Sequence, residues 1–171
     1  MGRIREPVAA DADRLGEIHV AAWQAAYRGI MPDDYLDGLS AAARADHWRV
    51  GLSRDPRPGS VRLVAADDGD VPVGFLFGGP ADGDADAVDG EVYVVNVHPE
   101  HWGTGAGSDL LIRAQEALAG GGFGTAVLWV VPGNQRARRF YERHGWRTDG
   151  ETRTEEVFGT TVEEVRYRRD L

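Results

Sequence analysis

The chain has 171 residues, 19 basic and 28 acidic side chains, a net charge of −9, no cysteine and 42% hydrophobic residues. That length suits one domain over residues 1–171 with a core that needs no disulfide staples. All 19 basic residues are arginine, so a Walker-type phosphate loop and Schiff-base chemistry are excluded for want of lysine, and thiolate chemistry for want of cysteine. The acidity argues against a nucleic-acid partner and suits a cationic small molecule or peptide. No apolar run reaches the roughly 20 residues of a membrane span and no charged-then-apolar leader opens the chain, so a cytoplasmic protein without a membrane partner is expected. Residues 1–90 hold 16 acids and 9 arginines, a balance of −7, against 12 and 10, or −2, for residues 91–171. An anionic ligand is therefore expected in the second half.

In chain order, Arg3 to Glu6 reads as a short strand broken by Pro7. Asp11 or Asp13 can cap a helix whose apolar stripe runs Leu15, Ile18, Ala22, Ala25 and Ala26. A second, interrupted helical stretch runs from Asp33 to about Leu52, with Ser40 as a restart cap. Val61 to Ala65 and Val71 to Phe77 form a hairpin about the turn Asp67–Asp68–Gly69–Asp70. Gly78 through Gly90, with four Asp and four Gly, reads as an exposed loop. Its acids make no metal site, because an ion needs oxygens converging on a fixed frame. Glu91 to Val97 is a strand. A helix follows the glycine-dense Trp102 to Gly107 and ends at Gly120–Gly121–Gly122. Thr125 to Val131 is apolar throughout, hence a central strand. A helix over Asn134 to His144 and two strands near Trp146–Thr154 and Thr161–Arg168 complete the chain.

A strand, a short turn, close glycines and a helix make an anion site, since converging N–H groups and the helix dipole favour phosphate. Gly103, Gly105 and Ser108 nearly meet the dinucleotide fingerprint, yet the next strand ends Val130–Val131–Pro132–Gly133 without the acid that would hold a ribose. Coenzyme A is the remaining reading. Val95 to Pro99 followed by Trp102–Gly103–Thr104–Gly105–Ala106–Gly107 resembles the acyl-CoA-binding motif of the GNAT acyltransferase superfamily. Asn134, Ala137, Phe140–Tyr141 and Gly145–Trp146 resemble its second motif.

The resemblance covers residues 3 to 169 and implies an α/β (α+β) fold. Its sheet is mixed and mostly antiparallel, with about six to seven strands flanked by about four helices and splayed between strands 4 and 5. It implies an N-acetyltransferase that moves an acetyl group from acetyl-CoA to a primary amine of a small molecule or peptide, without metal and often as a homodimer. A non-catalytic acyl-CoA-binding protein of the same fold is the alternative.

The resemblance also distributes roles. Cofactor binding falls to Val95, Val97, Trp102, Gly103, Thr104, Gly105, Ala106, Gly107, Ser108 and Asn134, with the Val95 N–H on the oxyanion and Val97 pairing with pantetheine. Trp102 departs from the Gln or Arg usual at its position, which leaves backbone amides to hold the phosphates. Its indole could still touch the cofactor. Arg136 and Arg138, at the start of the next helix, either meet phosphates or stay solvated. Tyr141 occupies the general-acid position and otherwise reads as a core tyrosine. Glu91 is the candidate base, with an exposed strand-end carboxylate as its other reading. Strict alternation sets it on one face with Tyr93, Val95 and Val97. Asn134 doubles as helix cap and pantetheine ligand. On the acceptor side, His19, Trp23 and Tyr27 recur every fourth residue. Trp23 and Tyr27, with Tyr35, are the candidate substrate-binding residues, offering aromatic faces to a cation.

Overall fold

In the computed structural model, which describes residues 2–84 and 86–171, seven strands make one sheet in the order β1-β2-β3-β4-β5-β7-β6. The elements are β1 (Arg3–Arg5), α1 (Ala12–Tyr27), α2 (Asp33–Asp37), α3 (Ala41–Leu52), β2 (Val61–Ala66), β3 (Pro72–Pro80) and β4 (Gly90–Val97). They continue with α4 (Ala106–Gly120), β5 (Thr125–Val130), α5 (Gln135–Arg143), β6 (Arg147–Val157) and β7 (Thr160–Asp170). Every neighbouring pair is antiparallel except β4–β5, which is parallel. The mixed, mostly antiparallel sheet is the expected one. The interrupted stretch divides into two helices, because Ser40 restarts the second by accepting the Ala43 N–H at 3.1 Å.

Helices cover both faces of the sheet. On one, Leu110, Leu111, Ala114 and Leu118 of α4 pack against Leu76, Val92, Leu128 and Tyr167, with Val95 and Val97 alongside. On the other, Leu15 and Ile18 of α1 and Trp48 of α3 pack against Val64 and Phe75, with Phe77 and Val94 alongside. A third cluster joins Trp23, Met31 and Leu36 to Val162 of β7. Among the described residues no helix is long and apolar enough to cross a membrane, and no cluster of His, Asp and Glu could hold a metal ion.

Strand β4 carries the feature that shapes the site. Phe77 opposes Val94 but Gly78 opposes Val92, so Tyr93 is an extra residue and the strand bulges there. The bulge breaks the strict alternation expected for Glu91, Tyr93, Val95 and Val97. Val92, Val95 and Val97 pack on the α4 face and Val94 on the α1–α3 face, which puts Glu91 on the α1–α3 face, opposite the Val95 side chain.

Two further expectations are corrected. Asp11 does not cap α1. Its carboxylate accepts the Val8 N–H at 2.8 Å and takes both terminal nitrogens of Arg5, at 2.8 and 3.0 Å. The Gly78–Gly90 segment is less open than its composition implies. β3 runs on to Pro80, a short 3-10 turn spans Ala81–Gly83, and Asp89 is bound by Arg168 and Thr125. Ala85 of that segment lies outside the described residues.

Candidate active site

The parallel ladder between β4 and β5 joins only Gly90–Val92 to Ala126–Leu128. β4 then continues to Val97 and β5 to Val130 with no pairing between them, and a cleft of about 770 Å³ follows the gap. The main chain of β4 faces this gap in a definite way. His98 N–H donates to Val73 O at 2.8 Å, which makes those two residues a hydrogen-bonded antiparallel pair. Alternate residues share that direction, so Asn96 and Val94 spend their main-chain groups on β3. Val95 and Val97 turn theirs toward the gap, as a strand edge that β5 leaves unpaired.

At one end of the edge sits the glycine turn. Gly103 and Gly105 have φ of +78° and +98°, and a Cβ at either would meet nothing within 4 Å. They are needed for the left-handed backbone, and the space above them stays clear. Gly105 is the N-cap of α4 without a side-chain cap bond, so the first N–H groups of the helix remain available to an anion. Thr104 spends its hydroxyl inside the turn, donating to His101 O at 2.8 Å. Trp102 donates its indole N–H to Val97 O at 2.8 Å, and the Arg136 guanidinium lies over its ring, 3.5 Å from the centroid. The indole N–H is thus committed to β4 and not to a ligand, while the aromatic ring brings an arginine to the position where the motif usually carries a polar or charged side chain.

Helix α5 supplies the rest of this wall. Arg136, Arg139 and Arg143 recur along it and all line the cleft. Burial, and secondarily Arg143, push the Arg136 guanidinium down, which marks a place that an anion would stabilise. Arg138 is elsewhere, donating to the Tyr167 hydroxyl at 3.0 Å and to Pro132 O. Uncapped amides, open glycines and three arginines fit a diphosphate. Asn134 caps α5 by accepting the Ala137 N–H at 3.1 Å, and its amide also tempers the Tyr27 phenol, which burial pushes up. Tyr141 is 8% exposed with its ring in the core and lines the gap. Burial pushes its phenol well above the usual range, so it keeps its proton.

The other side of the gap is lined by Trp23 and Tyr27 of α1, Val94 and Asn96 of β4, Trp129 of β5, Glu164 of β7 and Phe158 of the β6–β7 turn. Trp23 and Tyr27 meet edge to face with centroids 5.0 Å apart. His19 of the same stripe is fully buried beside Trp23 and Phe158 and does not reach the cleft. Tyr35 is also off the wall. Its hydroxyl donates to Phe158 O at 2.9 Å, so it anchors the turn that carries Phe158.

Glu91 stands at the closed end of the gap, opposite Val127, where β4 and β5 still pair. It is 4% exposed and accepts the Asp82 N–H at 2.6 Å. Burial raises its pKa above the ordinary carboxylate range; the Asp82 N–H and the Arg153 charge oppose the rise, and the Asp82 and Glu164 charges add to it. Of the candidate residues, Tyr141, Val95, Val97, Trp102, Gly103, Gly105, Gly107, Ser108, Asn134, Trp23 and Tyr27 line the cleft; Glu91, Thr104, Ala106 and Tyr35 stand behind it. Arg139, Arg143, Asn96, Trp129 and Glu164 were not singled out in advance. The i, i+3, i+7 spacing of the α5 arginines was the one signal available for any of them.

Residues 13–146 match a family described as the acetyltransferase (GNAT) family. The chain is 30% identical over 134 residues to the uncharacterized N-acetyltransferase YuaI of Bacillus subtilis (strain 168), covering 78% of this chain and 74% of YuaI. It is 27% identical over 169 residues to the "Probable N-acetyltransferase Rv2775" of Mycobacterium tuberculosis, covering 97% and 92%. In fold it matches the PaiA N-acetyltransferase of Thermoplasma acidophilum, solved in complex with coenzyme A, with a TM-score of 0.75 at 19% identity over 100% of this chain and 99% of that one. With the motif, the splayed sheet and the anion cradle all in place, the chain belongs to the acetyltransferase (GNAT) family and is an acetyl-CoA-dependent acyltransferase.

Proposed function

We propose that the enzyme transfers the acetyl group of acetyl-CoA to a primary amine of a small molecule or peptide by direct attack in a ternary complex. The observation that carries this reading is the unpaired β4 edge, set between the uncapped N-terminus of α4 and the Tyr141 phenol. The α4 amides with Arg136, Arg139 and Arg143 take the diphosphate, and the Val97 N–H and Asn134 hold the pantetheine arm. The thioester supplies an activated acetyl carbon and a thiolate leaving group. The Val95 N–H, aimed into the gap, donates to the carbonyl oxygen as negative charge builds on it. As the new C–N bond forms and the C–S bond breaks, Tyr141 gives its proton to sulfur. The ammonium first gives one proton to Glu91 through water, and the second proton that nitrogen loses as the amide forms returns to the Tyr141 oxygen, so one proton is released per turnover. The bulge at Tyr93 supports that role by setting Glu91 on the same face of the sheet as Trp129 and Glu164, where the acceptor enters.

With acetyl-CoA and an accepted amine, the purified enzyme is expected to release free CoA and acetylated amine in equal amounts. Without amine it releases no burst of CoA and gains no acetyl mass. Glu91→Gln is expected to abolish the acidic limb of the pH–rate profile, a limb that lies above the ordinary carboxylate range because burial raises Glu91. A profile unchanged in that variant retires Glu91 as the base. CoA binding with no transfer to any of a broad panel of amines refutes the enzymatic reading.

A further inference from the structure

Among the described residues, five side chains have a buried polar atom without a hydrogen-bond partner: His19, Arg44, Trp48, Asn96 and Arg169. Only Asn96 lines the cleft. Its side chain is held in place, because Asn96 opposes Phe75 in the β3–β4 ladder and is 9% exposed. Its amide nitrogen is a donor that nothing in the protein satisfies, and a buried donor without a partner is costly enough that native proteins seldom keep one. It sits one residue beyond Val95, whose N–H marks where the acetyl carbonyl is held in the reading above. Successive residues on a strand are about 3.3 Å apart, so Asn96 is next to the reacting carbon, on the acceptor face of the sheet.

The surroundings restrict what the missing partner can be. The chamber walls are the rings of Trp23, Tyr27, Trp129 and Phe158. One carboxylate, Glu164, reaches the wall, held by Arg153 Nε at 2.8 Å. Aromatic faces and a carboxylate favour a cation with an apolar body. The open amide N–H asks in addition for an oxygen that accepts.

We propose that Asn96 and Glu164 form an acceptor-recognition subsite for amines that carry a carbonyl or hydroxyl oxygen on the carbon next to the one bearing nitrogen, on an apolar or aromatic body. Glu164 takes the ammonium, the rings take the body, and Asn96 donates to the oxygen and so turns the nitrogen toward the acetyl carbon. This rests on the assignment of the two sides of the cleft to donor and acceptor.

The test is calorimetry on the CoA-loaded enzyme with a matched pair, L-phenylalaninamide and 2-phenylethylamine, which differ by the carboxamide. The wild type is expected to bind the amide about tenfold more tightly, the scale of one hydrogen bond to a buried partner. Asn96→Leu brings the pair within about twofold while CoA affinity is unchanged, and Glu164→Gln weakens both amines together. Asn96→Asp keeps the shape but offers only acceptors when ionised, so it loses the preference too and serves where the leucine variant fails to fold. Equal affinity in the wild type, no binding of either amine, or a preference that survives both Asn96 variants overturns the proposal. Binding with the expected preference but no acetyl transfer leaves the subsite standing and overturns the catalytic reading. Transfer to both amines with equal efficiency does the reverse.

Discussion

The two sides of the cleft are built by different means. The side proposed to hold the cofactor uses main chain: the uncapped start of α4, the open edge of β4 and two glycines with positive φ, reinforced by arginines from a single helix. The side proposed for the acceptor uses side chains brought together from distant places, Trp23 on α1, Asn96 on β4, Trp129 on β5, Phe158 in the last turn and Glu164 on β7. Main-chain groups bind any ligand of the right shape and are indifferent to side-chain drift around them. Side-chain walls change with each substitution. A fold that holds one cofactor and varies its acceptor needs this division.

Tyr141 sits where the two sides meet, and removing its hydroxyl is expected to have the largest effect. Tyr141→Phe leaves the ring in its packed position between Phe140 and Trp146, so the fold is preserved. Turnover is expected to fall about 100-fold or more, the scale of general-acid catalysis, with the KM for acetyl-CoA within about twofold of wild type. Steady-state kinetics beside calorimetric CoA binding measure both. Unchanged turnover would make Tyr141 a core residue and leave the junction without an acid.

A smaller effect separates the cofactor side from ordinary backbone strain. Gly105→Ala puts a side chain at φ +98°, which costs about 1–2 kcal/mol for a residue forced left-handed, and sets a methyl group in the space meant for the anion. The dissociation constant for CoA is expected to rise about tenfold while that of the amine is unmoved. Gly150→Ala, at φ +88° in β6 with equally open space, is the control. It carries the same backbone cost and should leave CoA affinity alone. Equal loss of CoA affinity in the two variants would show that strain, and not the cradle, is what the glycine supports.

This division also explains what was legible in the sequence. A main-chain site needs particular residues at particular spacings, so Gly103, Gly105 and the Asn134 to Tyr141 spacing announced themselves in one stretch. The sheet was legible for the same reason: apolar Thr125–Val130 and the hairpin around Asp67–Asp70 are local patterns. Glu91 shows the limit. Its identity was readable but not its face, because the single extra residue at Tyr93 reverses the alternation and leaves no mark in the valine-rich run from Val92 to Val97. Asn96 and Glu164 carry no local signal whatever, since their meaning comes from the topology that brings β4 and β7 to either side of β5. Trp102 keeps its place on the cleft wall, where its ring face can still meet the cofactor. What no local pattern announced is that its indole N–H is bound to Val97 O in the fold.

The acceptor side has one more property that the cofactor side lacks, a buried histidine in its supporting layer. His19 is fully enclosed by Trp23, Trp48 and Phe158, neither ring nitrogen has a partner, and burial, with smaller contributions from Arg44 and His47, holds its pKa down at about 3. The unfolded chain takes up that proton near 6.5, the folded chain only near 3, so between those values the unfolded state binds more protons and stability falls as pH falls. For a fully displaced group the slope approaches about 1.4 kcal/mol per pH unit, or about 2 kcal/mol between pH 6.5 and 5. His47, lowered by burial and Arg44, adds to the trend in the same direction. The paired acids Asp11, Asp70 and Asp89 are lowered and lose their contribution only below the ordinary carboxylate range, while Glu91, raised by burial, loses stability as pH rises and so opposes the histidine trend. His19→Phe is therefore expected to flatten urea-derived stability across that window, leaving the opposed residual slopes of His47 and Glu91, while Gly105→Ala lowers stability equally at every pH. If His19→Phe keeps the full wild-type slope, His19 is solvated in the folded protein, and the aromatic layer behind Trp23 is wetter and looser than its packing describes.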